Sequence, residues 1–255
     1  MPGISLREAP ADFRLLDVLG GDGTVAKTAS RLWGVDPMDT WILTADVSLR
    51  MIDRAIADGL PALCQPAQRM ILRDSTFDAV LLAYGTHHIP LAERAMVYRE
   101  AYRVLKPGGR LVVHDFEVGG PVDRWFAEVV HHYATVGHPY PHFQRNNLHS
   151  DLISAGFSEV TVQDIYDPFE IHGETEYEAR SALCDYVFDM YGLVKIREEC
   201  AGQAEVRHRT EQLITKHLRY GSDGPAAVAA LTVRRNHNGV VAIMPRVALV
   251  GVGVK

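Results

Sequence analysis

The sequence predicts an α/β fold in which helices cover both faces of a doubly wound, mostly parallel β-sheet. Short apolar segments alternate with segments of helical period through the first two thirds of the chain. A glycine-rich loop also follows the first apolar segment, at the point where a strand would pass into a helix. A chain of 255 residues is long enough for one elaborated domain, which we expect to span residues 1–255.

The predicted strands and helices alternate along the chain. The strands are short apolar runs: Arg14–Val18, Trp41–Ala45, Phe77–Ala83, Arg110–Phe116 and Glu159–Ile165. The helices between them are Val25–Leu32, Ser48–Ala57, Leu91–Leu105, Trp125–Val136 and Asn147–Ala155. The segment Lys106-Pro107-Gly108-Gly109 is predicted to end a helix, because Pro and Gly do not continue one.

The last third of the chain has a different pattern. Residues 172–239 are predicted to be helical, because Leu183, Val187, Met190 and Val194 recur along one helix face. The segment from Val240 to Val254 is rich in β-forming residues. We therefore predict a core of about 13–171 and 240–255, with residues 172–239 as a helical insertion or lid before the last strand.

Charge and cysteine content restrict the partners and the compartment. Twenty-six Lys and Arg against 32 Asp and Glu give a net charge of −6, which disfavours nucleic acid as a partner. Three cysteines without paired spacing are typical of reduced thiols in the cytoplasm. Charged residues near the N-terminus argue against a signal peptide, and no apolar run approaches a membrane span. We predict a cytoplasmic protein with no membrane partner.

The glycine-rich loop runs from Asp17 to Thr24 and fits two cofactor classes. Gly21-x-Gly23-x-x-Ala26, with Asp46 further along, satisfies the dinucleotide fingerprint of an NAD(P)-dependent oxidoreductase. However, Asp22 would place a carboxylate beside the pyrophosphate of such a cofactor. A cationic sulfonium cofactor is instead attracted by nearby acids. Asp46, at the end of the second strand, would accept hydrogen bonds from two ribose hydroxyls.

Several motifs together resemble the class I, Rossmann-like, S-adenosylmethionine-dependent methyltransferases that act on small molecules. The motifs are the acidic glycine loop, Asp46-Val47-Ser48 with Met51, Ser75-Thr76-Phe77-Asp78, Thr86-His87-His88-Ile89, and Leu105-Lys106-Pro107-Gly108-Gly109. The resemblance extends from about Phe13 to Ile165 and is greatest to quinone-biosynthesis and natural-product enzymes. It implies methyl transfer from S-adenosylmethionine to O, N or C of a small-molecule acceptor, with S-adenosylhomocysteine as product. It also implies a terminal antiparallel strand at Arg246–Val254.

The resemblance implies a set of cofactor-binding residues. Two positions depart from the family pattern: Leu19 replaces the first loop glycine, and Pro66 replaces an adenine-binding Asp, so that Ala67 and Gln68 would hold the adenine. The implied set is Asp17, Gly20, Gly21, Asp22, Gly23, Asp46, Val47, Met51, Ala67, Gln68, Ala83 and Tyr84.

The acceptor and its base are predicted from aromatic and histidine content. Only 13 residues precede the first strand, so we expect residues 117–145, the insertion or a partner subunit to cover the acceptor. Candidate walls are Trp125, Tyr133, Tyr140 and Phe143, although such residues equally form ordinary core. The candidate bases are His138 and His142, in a loop constrained by two prolines, and then His88 beside the cofactor.

Other functions stay open on the sequence. A protein of this fold could use bound S-adenosylmethionine in a cyclisation without methyl transfer, or could be a non-enzymatic binding protein. Two histidines with Asp115, Glu117 or Glu128 would suit iron or zinc. Because no ligand pair has diagnostic spacing, we predict no metal. The chain also allows a homodimer.

Overall fold

A computed structural model describes residues 13–34, 41–221, 224–237 and 239–255. The chain divides into two compact units. The first, named here the sheet unit, comprises residues up to Asp115 with 143–163 and 250–255. The second unit comprises residues 116–142 and 164–249. The predicted organisation as one domain stays a prediction, and the N-terminal segment that we considered too short for a lid lies outside the described residues, except for Phe13.

The sheet unit is built on a mostly parallel seven-stranded sheet, with strands and helices numbered along the whole chain. Its order is β3-β2-β1-β4-β5-β10-β6. These strands are β1 (Arg14–Val18), β2 (Trp41–Asp46), β3 (Ala62–Cys64), β4 (Phe77–Ala83), β5 (Leu105–Asp115), β6 (Ser158–Tyr166) and β10 (Val247–Val254). The short strand β3 was not predicted, since three residues carry no detectable period.

The predicted terminal antiparallel strand is confirmed as β10. Backbone bonds from Gly108 N–H to the Lys255 oxygen and from Lys255 N–H to the Gly109 oxygen place the end of β10 beside the start of β5. Gly108, at φ 78°, adopts the left-handed region. The segment Lys106-Pro107-Gly108-Gly109 therefore belongs to an irregular start of β5, where the register with β4 shifts, and the preceding helix ends at Val104.

Helices of the sheet unit follow the predicted positions closely. They are α1 (Thr24–Trp33), α2 (Leu49–Ala57), α3 (Leu91–Val104) and α6 (Arg145–Ser154), with a 3-10 turn at Thr86–His88. Strand β1 pairs with β2 on one side and with β4 on the other. The strand order therefore reverses beside β1, and the carboxyl ends of β1, β2 and β4 meet at this switch point, where open α/β sheets bind ligands.

The second unit combines helices with a small antiparallel sheet. Its helices are α4 (Pro121–Trp125), which continues as a π-helical segment Phe126–Val130 into α5 (His131–Tyr133), then α7 (Glu176–Met190), a 3-10 segment Val194–Glu199 and α8 (Gln203–His217). Its sheet has the order β7-β9-β8, formed by β7 (Phe169–Gly173), β8 (Thr232–Asn236) and β9 (Gly239–Met244). The insertion predicted as helical therefore begins and ends in strands, because β7 and β8 both pair with β9.

No helix among the described residues is long and apolar enough to cross a membrane.

Candidate functional site

The glycine loop between β1 and α1 has a backbone that other residues would not adopt easily. Gly21 and Gly23 have φ values of 57° and 78°, in the left-handed region that glycine enters without strain. A Cβ added at Gly23 would overlap Cδ1 of Leu60, and one added at Gly20 would lie 2.6 Å from Oδ2 of Asp17. At Gly21 nothing lies within 4 Å of an added Cβ, so the loop backbone is open to close approach of a ligand at this position.

Asp46 connects the end of β2 to this loop. Its Oδ2 accepts the Gly21 N–H at 3.0 Å, and its Oδ1 accepts the Ser48 N–H at 2.8 Å. Each carboxylate oxygen has capacity for a further hydrogen bond. Asp46 therefore combines a structural role in the loop with the predicted capacity to accept two hydroxyl donors.

Asp17 is the buried acid of the site, with 1% of its surface exposed. Its Oδ2 has no hydrogen-bond partner among the described residues. Burial, and secondly the nearby charge of Asp46, raise the pKa of Asp17 to about 7. A cation bound in the crevice would favour the ionised form of this carboxyl, whereas a phosphate would oppose it.

Asp22 contributes less to the charge of the site than the sequence suggested. Its carboxylate accepts the Thr24 hydroxyl at 2.7 Å and lies 3.8 Å from the Lys27 ammonium. This carboxylate is thus directed to the start of α1 and partly neutralised. The preference for a cationic ligand rests on Asp17 and Asp46.

The predicted adenine side lies after β2 and β3. Val47 is 67% exposed, Met51 is half-buried and Ala67 is buried. The Gln68 amide donates to Glu93 at 2.6 Å, so its nitrogen is already engaged. Val47 offers the largest exposed apolar surface among these four residues.

The end of β4 carries the residues predicted for the methionine side. Ala83 is half-buried, and Tyr84 has φ 57° with its ring 4.2 Å from that of His114. Leu19, at the position of the first family glycine, also has a left-handed φ of 63°. A Cβ added at Gly85 would lie 3.0 Å from the Leu19 Cβ, so the glycine at 85 leaves room for the leucine at 19.

Comparisons with known proteins agree with this geometry. The family model described as a methyltransferase domain matches residues 16–113. A ubiquinone/menaquinone biosynthesis C-methyltransferase UbiE from Methylobacterium nodulans is 37% identical over 111 residues, which cover 41% of this chain and 42% of that relative. Over residues 16–113 the chain is therefore similar to S-adenosylmethionine-dependent methyltransferases.

Solved structures support the methyltransferase fold. An S-adenosylmethionine-dependent methyltransferase from Thermotoga maritima has a TM-score of 0.52 at 17% identity, over 95% of this chain and 82% of that one. Phosphoethanolamine N-methyltransferase 2 from Haemonchus contortus, solved with S-adenosylhomocysteine, has a TM-score of 0.57 at 15% identity, over 97% of this chain and 50% of that one. At these identities the likeness concerns the fold.

Two of the predicted bases lie in the second unit. His142 Nδ1 is 2.7 Å from Asp123 Oδ1, and the rings of His138 and His142 stack at 5.7 Å between centroids. Tyr140, which is 41% exposed, packs edge-on against His138 at 5.1 Å. The structure therefore brings these three predicted residues into one cluster, although both histidines are largely buried.

The predicted acceptor walls occupy three different environments. Trp125 is fully buried against Tyr191, at 5.6 Å between rings. The Tyr133 hydroxyl bonds with Glu199 and Arg209, and Tyr133 lines a cavity of about 420 Å³ together with His131, His132, Lys195, Glu198 and Glu199. Phe143 belongs to the sheet unit, where its ring packs against the guanidinium of Arg94. Trp125 and Tyr133 thus have structural contacts of their own, which favours the alternative that they are core.

One buried polar cluster was missed by sequence reasoning. In the sheet unit, His87 bonds to Asp115 through both its backbone and its ring. Arg94, only 3% exposed, donates to the Ile89 and His87 carbonyls and lies 4.2 Å above the Phe143 ring. The signal was the charged Asp115 at the end of an apolar strand, but its partner lies 28 residues away and no local pattern indicates the pairing.

Proposed function

We propose that this protein transfers a methyl group from S-adenosylmethionine to a small-molecule acceptor. The observation that carries the proposal is the crevice at the switch point, where the buried Asp17 and the loop-bound Asp46 provide two carboxylates beside a glycine backbone. The unpartnered Oδ2 of Asp17 suits a cationic ligand. The open space at Gly21 suits close ligand approach.

The residues of the crevice fit the parts of this cofactor in order. Asp46 would accept the ribose hydroxyls, and the loop from Gly20 to Gly23 would face the methionine portion. Val47, Met51, Ala67 and Gln68 would contact the adenine. Ala83 and Tyr84, at the end of β4, would lie beside the methyl group.

S-adenosylmethionine supplies an electrophilic methyl group carried on a sulfonium. The chain has to align an acceptor with that methyl group and exclude water from it. The carboxylates of Asp17 and Asp46 would stabilise the positively charged sulfonium before transfer. After transfer the sulfur is neutral, and this stabilisation is lost. That difference favours release of the neutral product.

The acceptor is proposed to be a small compound of quinone-like or natural-product type. This rests on the resemblance to quinone-biosynthesis relatives, and the chain spans 42% of the length of the Methylobacterium nodulans relative. The exposed Tyr140 is the strongest of the proposed wall residues, followed by Phe143. A cytoplasmic location, a homodimer and the absence of a nucleic-acid partner are part of the same proposal.

Calorimetric titration tests the cofactor directly. We expect S-adenosylmethionine and S-adenosylhomocysteine to bind with micromolar affinity and NADH and NADPH to show no binding heat. Binding of the dinucleotides alone would replace the proposal with an oxidoreductase.

A second measurement tests the transfer. The protein is incubated with S-adenosylmethionine and a panel of phenols, hydroquinones and amines, and S-adenosylhomocysteine is quantified by mass spectrometry. We expect one class of acceptor to gain 14 mass units, about the mass of one CH2 group added by each transfer. Conversion of an acceptor without S-adenosylhomocysteine formation would indicate a cyclase instead.

A further inference from the structure

The buried pair His87 and Asp115 stands where β4 and β5 end in the sheet unit. Asp115 is the last residue of β5, and His87 lies in the 3-10 turn that follows β4. The Asp115 carboxylate accepts the His87 backbone N–H at 3.0 Å and lies 2.8 Å from the ring Nδ1. His87 is 2% exposed and Asp115 is fully buried.

This contact fixes which ring nitrogen of His87 carries the proton. An ionised carboxylate only accepts hydrogen bonds, so Nδ1 must donate to Asp115. In the neutral ring Nε2 then has the lone pair. A histidine oriented by a carboxylate on its Nδ1 side is the arrangement in which proteins use imidazole as a base.

The turn that carries His87 is held from its other side by Arg94. The guanidinium donates to the His87 carbonyl and to the Ile89 carbonyl, both at 3.1 Å, and is itself packed on Phe143. Both the backbone and the ring of His87 are therefore positioned by buried charged groups. Such preorganisation is what a base requires in order to transfer a proton in one geometry.

His88 is placed less well for the same task. It is exposed, and its ring packs at a tilt of 39° against that of His87, with 4.3 Å between centroids. A base in water loses the advantage of a low-dielectric site, and its proton exchanges with solvent. Of the two adjacent histidines, His87 has the stronger claim to a chemical role.

We propose that His87 is the catalytic base of the methyl transfer, that Asp115 is its positioning residue, and that the acceptor is a hydroxyl compound. This inference rests on the proposed function. The acceptor hydroxyl would give its proton to His87 Nε2 while its oxygen forms the bond to the methyl carbon. The carbon–sulfur bond breaks, its electron pair stays on sulfur, and the imidazolium later returns the proton to solvent.

The pair of His87 and Asp115 favours one class of acceptor, because only some acceptors need a base. A neutral amine already presents a lone pair and gains nothing from a base before attack. A hydroxyl oxygen becomes a strong nucleophile only as its proton leaves, and positioned bases contribute about 10²- to 10⁴-fold to such steps. His87 is 2% exposed, so an acceptor hydroxyl that reached its Nε2 would meet the base away from bulk water.

A series of substituted phenols tests the base. The acceptors are phenols whose pKa values are graded downward from that of tyrosine, about 10. With S-adenosylmethionine as methyl donor, H87Q should lose about 100-fold or more in kcat on the phenol of highest pKa. The loss should shrink progressively as the phenol becomes more acidic, because an ionised acceptor needs no base. The matched control is H149Q, which changes an exposed histidine on α6 and should match wild type on every phenol.

An equal loss on all phenols would indicate a structural role and would overturn the base. Methylation of amines by wild type, with no turnover of any phenol, would overturn the hydroxyl acceptor. D115N should show the same dependence on acceptor acidity as H87Q, with a smaller loss.

Nuclear magnetic resonance of wild type gives a readout that needs neither acceptor nor variant. Nitrogen-15 shifts of the neutral His87 ring should show a protonated Nδ1 and an unprotonated Nε2. The reverse tautomer would overturn the proposal even if H87Q does not fold. Absence of any S-adenosylmethionine binding would overturn the proposed function, and the base with it, whereas binding with unaltered phenol methylation in H87Q would overturn the base alone.

Discussion

The Asp46 carboxylate accepts the Gly21 N–H at 3.0 Å, which joins the acid at the end of β2 to the loop after β1. The two residues are 25 positions apart in the chain, yet parallel pairing of β1 with β2 brings their carboxyl ends side by side. The same carboxylate also bonds the Ser48 N–H at the start of α2. One acid therefore orders three segments of the proposed cofactor site.

Replacement of Asp46 by Ala should weaken binding of S-adenosylhomocysteine about 10²- to 10⁴-fold. It removes two charge-assisted hydrogen bonds to ribose, each worth about 1.5–3 kcal/mol when made to a charged group, and it frees the loop. Calorimetric titration measures the change. The control is Asp53→Ala, which removes an exposed acid from α2; equal affinities in the two variants would show that Asp46 does not contact the ligand.

Replacement of Gly23 by Ala should destabilise the protein more than replacement of Gly59 by Ala. Both glycines have φ 78°, so both substitutions carry the left-handed penalty of about 1 kcal/mol. Only at Gly23 does the new methyl group overlap Leu60, while nothing lies within 4 Å at Gly59. Urea unfolding should separate the two by a further 1–3 kcal/mol, about the cost of overpacking. Similar values would mean that Leu60 moves aside freely.

Replacement of Asp17 by Asn should change how stability depends on pH. Because its folded pKa is raised from 3.8 to about 7, folding favours the protonated carboxyl. The favourable contribution is complete below about pH 4 and is lost as pH rises to about 7. The melting temperature of wild type should therefore fall relative to that of D17N as the pH rises from about 5 to about 8. A constant difference across this range would contradict the buried, protonated state.

The same carboxyl should release a proton when a cationic ligand binds. At pH 6.5 Asp17 is largely protonated, and the nearby positive charge of S-adenosylmethionine would lower its pKa. Titration in two buffers of different ionisation enthalpy should show release of a fraction of a proton in wild type. Asp17→Asn should remove that release, and an unchanged value in this variant would assign the proton to another group.

Replacement of Arg94 by Met should cost about 2–4 kcal/mol of unfolding free energy. The change leaves two buried carbonyls without their donor and removes the cation from the Phe143 ring. Arg99→Met is the control, because Arg99 is exposed on the same helix and should change stability by less than about 0.5 kcal/mol. Chemical denaturation measures both, and equal effects would show that the Arg94 contacts carry little energy.

The sequence predicted the parallel core well because its strands are buried on both faces. Arg14–Val18 and Phe77–Ala83 coincide with β1 and β4, since runs of apolar residues bounded by turn residues have few other interpretations. The prediction was poorer for residues 172–239, where helices α7 and α8 were expected but the strands on either side were not. Strand β8 is extended because it pairs with β9. β-Structure depends on such non-local partners more than helices do.

By itself, the sequence determined the α/β layout and the glycine loop, because these depend on local backbone preference and on hydrophobic period. Only the tertiary structure decided which acids are buried, that Asp22 faces Lys27 instead of the crevice, and that His87 meets Asp115. Charge and proton-transfer roles follow from distances between residues far apart in the chain. Those distances are set by how the strands are ordered in the sheet, which a pattern of residue types does not encode.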